Sequence, residues 1–369
     1  MTPLLAEVMD GSVVALVVGV VVVLLVVLLG LLLRARSSSG PQPDSGLRVD
    51  LILNPTKLSE SGRADVVRAL ERAGADDVRV VETTEDDPGV GQARASAAGG
   101  ADVVVACGGD GTVMACVTAL AGGDVPLAII PQGTGNLLAR NLGIPLQVSR
   151  AARVAVRGNR QRIDVGAVGE ERFAVMAGMG FDAAMLRDAP EKAKARVGAL
   201  AYLGAAARNL REPGFLCTVT VDDLPPIRRR ARTVLVGNVG RLQGGLPLLP
   251  GAAADDGLLD VAVISPRTFG ETVAFLWRFF LRSARSGHME TLIGRRVEVR
   301  SVEPQPVQLD GDLRPDTDHL LIEVQAGALW LCLPGPLVLD AEDGAADDAE
   351  DVDVDVEDGD ADDQVSAPG

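Results

Sequence analysis

Gly108-Gly109-Asp110-Gly111-Thr112 and, further along, Pro131-Gln132-Gly133-Thr134-Gly135-Asn136 are the two stretches that decide the fold. Each directly follows a short apolar run, at 103–106 and 127–130, and precedes a helix-like stretch. A strand that runs into a glycine turn and then a helix presents backbone amides and a helix N-terminus, which together bind phosphate. One such turn is usually only a tight connection with glycine at positive φ. Two of them, with Asp110 in one and threonine in both, favour nucleotide binding.

Apolar runs and helix-like stretches alternate on both sides of the glycine turns. This alternation predicts a doubly wound α/β domain with a parallel sheet over residues 47–155, where ligands bind at the carboxyl ends of the strands. Both glycine turns fall at such ends. The other predicted elements of this domain are the strands Leu47–Leu53 and Val78–Val81 and the helices Asp65–Ala73 and Gln92–Ala98.

From about Gln161 the pattern changes to short strands joined by Gly, Pro and Asp turns. It predicts a mostly antiparallel β domain over residues 156–336, whose last strands are left open to return to the first domain. Two helical stretches interrupt it, near Lys192–Leu210 and Phe269–Arg285. The second holds much of the scarce aromatic content. Packing on the sheet is favoured over the alternative of an amphipathic helix on a membrane, because the aromatics are not confined to one face.

The N-terminal region predicts a membrane anchor over residues 1–36. Val13 to Leu33 is 21 residues long without a charge, enough to cross an apolar layer of roughly 30 Å as a helix. A cleaved signal peptide fits less well, because Glu7 and Asp10 precede the run in place of basic residues. Arginines follow it, so the positive-inside tendency predicts a single-pass cell-membrane protein with cytoplasmic catalytic domains. Residues 37–46, rich in Ser, Pro and Gly, are predicted to be a linker.

The charge of the chain is concentrated in its C-terminal tail. Fourteen Asp and Glu and no Lys or Arg follow from Asp340 onward, and without them the net charge of −16 falls to −2. Residues 337–369 are therefore predicted to form a disordered acidic tail. The nearly neutral remainder excludes nucleic acid as an expected partner. The four cysteines form no Cys-x-x-Cys pair and are predicted to be reduced core residues.

Phosphoryl transfer needs a phosphate cradle, a divalent cation and a carboxylate that takes the acceptor's proton. Asp255-Asp256-Gly257-Leu258 offers carboxylates and turn carbonyls to a cation just before a strand. Leu309-Asp310-Gly311-Asp312 offers a carboxylate base near a strand end. Each segment taken alone is equally well a solvated turn, so the assignment depends on their combination.

In combination, the chain resembles the diacylglycerol kinase catalytic family of lipid kinases, which includes soluble bacterial diacylglycerol kinases and sphingosine kinases. The resemblance runs from about Arg48 to Leu333. The blocks that carry it, in order, are Asn54-Pro55-Thr56, Thr84-Glu85, the two glycine turns, Gly178 to Asp182, Gly237-Asn238 with Gly244-Gly245, Asp255 to Asp260, and Leu309 to Asp312.

The resemblance implies an NAD kinase-like α/β domain followed by an antiparallel β-sandwich, and transfer of the γ-phosphoryl of ATP to a lipid hydroxyl. The expected acceptor is diacylglycerol, giving phosphatidic acid. Asp256, with the backbone carbonyls of Ala253 and Leu258, would hold Mg²⁺. Asp312 would be the general base, and Asp110 would be linked to the metal and phosphates through water. The residues expected to contact ATP are Asn54, Pro55, Thr56, Lys57, Thr84, Gly108, Gly109, Asp110, Gly111, Thr112, Gly133 and Thr134.

Two positions depart from the family pattern. Met114-Ala115 stands where polar residues are usual, and the base is Asp312 where glutamate is frequent. The alternatives to a diacylglycerol kinase are a kinase of sphingoid bases or other lipid alcohols, an NAD kinase, and a lipid-binding relative without turnover. The sequence leaves the lipid itself and a homodimer undecided.

Overall fold

The computed structural model describes residues 46–180, 214–240, 248–266, 271 and 289–335. The predicted anchor (1–36), the acidic tail (337–369) and the helical stretch Lys192–Leu210 lie outside these residues. So do all but one residue each of the linker (37–46) and of the stretch Phe269–Arg285.

The first part of the chain forms a parallel sheet in the order β2-β1-β3-β4. Its strands are β1 (Arg48–Leu53), β2 (Asp77–Glu82), β3 (Val103–Gly108) and β4 (Leu127–Pro131). Its helices are α1 (Glu60–Ala73), α2 (Val90–Ala98), α3 (Asp110–Leu120), α4 (Leu137–Asn141) and α5 (Val148–Arg157), and a 3-10 helix spans Pro55–Lys57. The predicted alternation of strands and helices is present in full.

Helix α1 illustrates how local sequence sets these elements. The Ser59 hydroxyl accepts a hydrogen bond from the Gly62 N–H at 3.2 Å and caps the start of the helix. Gly74 ends it in the left-handed region at φ 110°, which costs glycine little. Between the caps, Val66 and Leu70 lie fully buried on one face, the spacing expected for a helix that packs on a sheet.

The two faces of the parallel sheet carry separate cores, because successive side chains of a strand point to opposite sides. On one face, Val103 and Val105 pack with residues of α1 and α5. On the other, Val104 and Ala106 pack with residues of α2 and α3. Helices therefore cover both faces, as a doubly wound domain requires.

The second part of the chain is antiparallel β structure. Its strands are β5 (Asn159–Val168), β6 (Glu171–Phe173), β7 (Met176–Gly180), β8 (Phe215–Val221), β9 (Ile227–Ala231), β10 (Thr233–Gly237), β11 (Leu259–Ile264), β12 (Met289–Gly294), β13 (Arg296–Leu309) and β14 (Asp312–Leu333). Alternate residues of six of them, β7, β8, β10, β11, β13 and β14, enclose one apolar core, which makes this part a β-sandwich.

Strand β14 joins the two parts. Its first half pairs antiparallel with β13. Its second half pairs with β5 and, through Leu331 opposite Leu127, runs parallel to β4. The β domain is thus hydrogen-bonded to the edge of the parallel sheet beside β4, the strand that leads into the second glycine turn.

The predicted combination of an α/β domain and a C-terminal β-sandwich is confirmed, but the prediction of a single-pass membrane protein is wrong. In the part of the chain that the structure describes, no helix is both long and apolar enough to cross a membrane. Val13 to Leu33, on which the predicted anchor rested, lies outside that part. A transmembrane helix is therefore not a supported element of this fold.

Candidate nucleotide and metal site

The two glycine turns lie against each other at one edge of the parallel sheet. Gly108 pairs with Pro131 at the ends of β3 and β4, and the Gln132 N–H donates to the Gly108 carbonyl at 2.8 Å. A Cβ placed on Gly133 would lie 2.6 Å from the Gly109 Cα. No side chain fits there, so glycine at 133 allows the two backbones to touch.

Asp110 ties the turns together from inside the first one. Its carboxylate accepts the N–H of Asn136 at 2.9 Å and of Leu137 at 2.6 Å, at the start of α4. Asn136 has φ 49°, and its side-chain amide donates to the Gly133 carbonyl at 2.6 Å while its Oδ1 accepts the Gly133 N–H at 2.9 Å. Both turns are therefore fixed by side chains that their own sequence supplies.

Other predicted ATP contacts surround these turns. Asn54 follows β1, its N–H donates to the Cys107 carbonyl at 3.1 Å, and its side chain caps the 3-10 helix through the Thr56 N–H. The Thr84 hydroxyl accepts the Asp87 N–H at 3.1 Å in the loop after β2. Since β1 to β4 are parallel neighbours, their carboxyl ends meet at one edge, and these segments line it together.

Surface exposure separates the residues that a ligand could touch from those that support them. Six of the predicted ATP contacts are exposed: Pro55, Thr56, Lys57, Thr84, Gly111 and Thr134. Thr112 is buried, and a Cβ on Gly108 would lie 2.7 Å from its Oγ1. Thr112 therefore supports the first turn from below.

Met114, the departure from the family pattern, contacts the apolar cores of both domains. It lies on α3, one turn after Asp110. An apolar side chain here adds packing between the domains in place of a polar contact.

The predicted metal loop is held from below by Asp164 of β5. The Asp164 N–H donates to the Ala254 carbonyl, and its Oδ2 accepts the Gly257 N–H, both at 2.6 Å. Its other oxygen accepts the Gly327 N–H of β14 at 2.6 Å. Above it, exposed Asp256 accepts the Leu258 N–H at 2.9 Å. Sequence reasoning did not single out Asp164, although a lone aspartate in an apolar strand is a usable signal.

The charges around this loop suit a divalent cation. Burial raises the pKa of Asp164, and the neighbouring Asp256 and Asp255 raise it further. Burial and Asp256 likewise raise the pKa of Asp260. Carboxylates that repel one another in this way are relieved by a bound cation, and turn carbonyls are oxygen ligands that Mg²⁺ accepts. The described residues hold no group of three or more His, Cys, Asp or Glu placed for a metal, so Mg²⁺ would need backbone carbonyls or water beside the Asp256 carboxylate.

Asp310 is the second buried carboxylate near the site to which sequence reasoning assigned no role of its own. It forms a two-residue hairpin turn between β13 and β14 with Gly311, and both residues have positive φ, 50° and 92°. Its buried carboxylate accepts three backbone N–H groups, of Ala174, Val175 and Met176, at 2.6 to 2.9 Å. Burial raises its pKa to about 7, and the negative charge of nearby Asp110 adds to this.

A chain of hydrogen bonds connects Asp310 to the metal loop through Asn238. The Asn238 amide donates to the Ala174 carbonyl at 3.0 Å and to the Asp164 carbonyl at 2.8 Å. Asp164 in turn holds Ala254 and Gly257. The hairpin and the metal loop are thus linked by buried polar contacts.

Asp312, the predicted base, is exposed and begins β14 opposite Leu309. It follows Gly311, whose N–H donates to the Gln308 side chain at 2.7 Å. Asp312 comes two residues after Asp310, whose carboxylate is near Asp110. The hairpin therefore carries one buried carboxylate near Asp110 and one exposed carboxylate two residues further along.

Each of the two domains matches a known protein family. The diacylglycerol kinase catalytic domain family matches residues 48–168, and the YegS C-terminal NAD kinase beta sandwich-like domain matches residues 174–333. Together they cover both parts of the described fold, with the two glycine turns in the first domain.

Individual relatives agree with this class. A "probable lipid kinase YegS-like" of Pseudomonas fluorescens is 32% identical over 75% of this chain and 92% of its own length. A diacylglycerol kinase of Mycobacterium tuberculosis is 31% identical over 66% of this chain and 80% of its own. An uncharacterized protein of Synechocystis and a YegS-like relative of Citrobacter koseri match over only 54% and 57% of their own lengths. A crystal structure of a candidate diacylglycerol kinase from Bacillus anthracis superposes with a TM-score of 0.66 at 26% identity, covering 79% of this chain and 98% of that one.

The chain belongs to the family of diacylglycerol kinases and YegS-like lipid kinases. The predicted family is confirmed, and with it the expectation, at family level, of an ATP-dependent lipid kinase.

Proposed function

We propose that this protein transfers the γ-phosphoryl group of ATP to a hydroxyl of a membrane lipid, with diacylglycerol as acceptor and phosphatidic acid as product. The observation that carries the proposal is the contact between the two glycine turns. Asp110 of the first turn holds them together by accepting two backbone N–H groups at the start of α4. The N-terminus of α3, which begins inside the first turn at a sheet edge, suits a polyphosphate, and the family supplies the lipid class of the acceptor.

Each group has a distinct task in the proposed reaction. The glycine turns, with Asn54 to Lys57 and Thr84, bind the phosphates of ATP. Asp312 accepts the proton of the lipid hydroxyl as its oxygen attacks the γ-phosphorus, and the bond to the β-phosphate oxygen breaks to release ADP. Exposure of Asp312 supports this assignment, since a base must reach the acceptor.

Mg²⁺ would be held by the Asp256 carboxylate and the carbonyls of Ala253 and Leu258, and it would neutralise charge on the transferring phosphate. The mutual repulsion among Asp164, Asp256 and Asp260 supports a cation there. Asp164 positions the loop and is not offered as a ligand, because both its oxygens accept backbone N–H groups.

The acceptor is proposed as diacylglycerol because a relative named diacylglycerol kinase aligns over both domains. Sphingoid bases and other lipid alcohols are the competing acceptors within the same chemistry. No step draws on a second copy of the chain, and the homodimer left open by the sequence stays a prediction for a sedimentation measurement.

The test uses the full chain with Mg²⁺, γ-labelled ATP and diacylglycerol in detergent micelles, with sphingosine and NAD as parallel acceptors. We expect label in phosphatidic acid. Asp312→Asn is expected to lower turnover by on the order of 10²- to 10⁴-fold with little change in ATP affinity. Asp318→Asn, an equally exposed change in the same strand, is the control and retains turnover. Phosphorylation of NAD without any lipid product would overturn the proposal, and full turnover of Asp312→Asn would remove that residue as the base.

A further inference from the structure

A basic and apolar surface lies on the β domain, formed by strands β8, β9 and β13. In the pairing of these strands, Arg230 is opposite Leu216, Arg228 is opposite Thr218, and Thr218 is opposite Arg300. On β8 the alternate residues Cys217, Val219 and Val221 are buried, so the residues between them point outward. We call the outward set Leu216, Thr218, Arg228, Arg230, Arg300 and Val302 the arginine face.

The apolar members of the arginine face are unusually exposed. Leu216 keeps 51% of its surface accessible and Val302 keeps 77%. They border a shallow groove of about 400 Å³ that the arginines also line. A groove with apolar residues among cations fits a ligand that is both apolar and anionic.

Two of the three cations on this face have no carboxylate partner among the described residues. Arg230 donates to the Gly214 carbonyl at 2.6 Å, which leaves its charge uncompensated. Arg228 is exposed on strand β9, for which β8 is the only partner among the described strands. Arg300 is neutralised by Glu298 at 2.6 Å. The excess positive charge therefore lies on Arg228 and Arg230.

We propose that the arginine face docks the protein on the surface of an anionic lipid bilayer. Guanidinium groups pair with lipid phosphates, while Leu216 and Val302 enter the boundary between headgroups and acyl chains. A single-stranded nucleic acid would call for stacking aromatics, and the face carries none. This inference goes beyond the proposed reaction, because it names a binding surface away from the nucleotide and metal segments.

The size of the effect follows from the two uncompensated charges. A basic residue near an anionic membrane surface strengthens binding about fivefold, so removing two weakens it on the order of 25-fold. The effect should fade as salt screens the surface.

The first test measures whether the arginine face itself contacts the bilayer. Because all four native cysteines are buried, a polarity-sensitive thiol probe can be placed selectively on Val302→Cys in the full chain. We expect its emission to shift to the blue with phosphatidylcholine vesicles that contain phosphatidylglycerol, and to stay unchanged with phosphatidylcholine alone. The same probe on Ser61→Cys, exposed on α1, is expected not to shift.

The charge requirement is tested by Arg228→Gln combined with Arg230→Gln, which should need on the order of 25-fold more anionic lipid for the same shift. Arg68→Gln with Arg72→Gln removes the same charge from exposed positions of α1 and should behave like the parent. No shift at Val302→Cys, equal shifts at both probe sites, or equal loss in both double variants would each overturn the proposal. So would a shift produced by DNA but not by anionic vesicles.

Discussion

Replacing Gly133 by alanine should separate the two glycine turns. The added Cβ would lie 2.6 Å from the Gly109 Cα and 3.0 Å from the Asn136 Oδ1, well inside ordinary contact of 3.4 to 4 Å. The first neighbour is backbone and cannot rotate away, so the turns must move apart by about an ångström. Overpacking of this kind costs about 1–3 kcal/mol. If this free-energy cost must be met when ATP binds, the affinity for ATP falls by about 5- to 150-fold.

Gly111→Ala is the matched comparison. A Cβ at 111 meets no atom within 4 Å and the residue has no positive φ, so alanine should leave the free energy of unfolding equal or raise it by about 0.5–1 kcal/mol. The added methyl group should still lower ATP affinity if the phosphates lie against residue 111. Denaturant unfolding and calorimetric titration with ATP measure both quantities. The reasoning fails if Gly133→Ala keeps the parent stability and ATP affinity, or if Gly111→Ala destabilises the protein as much.

Four further substitutions test other parts of the site. Asp110→Asn turns one acceptor into a donor that faces a backbone N–H, so unfolding free energy should fall by about 1–3 kcal/mol together with ATP affinity, read in the same two assays. Asp256→Asn should raise the Mg²⁺ concentration needed for half-maximal turnover without changing unfolding free energy, because the side chain is exposed. Asp164→Asn should lower the unfolding free energy and raise the Mg²⁺ concentration needed for half-maximal turnover, since its two oxygens hold Gly257 and Gly327; a normal Mg²⁺ titration would contradict this. Asp310 has a folded pKa of about 7, above the ordinary aspartate value, so its protonation stabilises the fold fully below about pH 4, and this contribution is lost as pH rises to about 7. The unfolding free energy of the parent relative to Asp310→Asn should therefore fall between pH 4 and 7 in denaturant titrations, and a constant difference would refute the assigned pKa.

The α/β domain was predictable because its signals are local. Strand-length apolar runs alternate with capped, amphipathic helices, and the glycine turns interrupt this pattern where the strands end. The sequence also identified the metal loop and the hairpin as segments, because Asp-Gly pairs mark turns whether or not they bind anything. Their use required the family resemblance, since neither spacing nor composition separates a ligand from a solvated turn.

The β domain was predicted less completely, for identifiable reasons. Strand β13 extends through Pro304 and Pro306, which single-sequence reasoning takes as strand breakers, and irregular pairing with β14 between Arg300 and Val307 accommodates them. Strand β9 has no alternating apolar pattern that would predict it, because three consecutive arginines fill its centre. The same run is the basic cluster that charge counting over the whole chain averaged away.

The buried links of the site were invisible for a different reason. Asn238 joins Asp164 to Ala174 across positions far apart in the chain, and no local pattern encodes such a partner. Only the pairing of β5, β7, β10 and β14 brings these groups together. Long-range polar contacts of this kind follow from topology, and topology became known only with the fold.

The hairpin presents two carboxylates, and the distribution of hydrogen bonds decides which of them can act as a base. Asp310 already accepts three backbone N–H groups, is buried, and would lose those bonds if it turned toward a substrate. Asp312 is exposed and directly follows the turn that Asp310 and Gly311 form. A carboxylate held by backbone amides determines position, while a neighbouring one with open lone pairs can take a proton. We therefore expect different roles for the two aspartates: Asp310 anchors the hairpin near Asp110, and Asp312 is the proposed base.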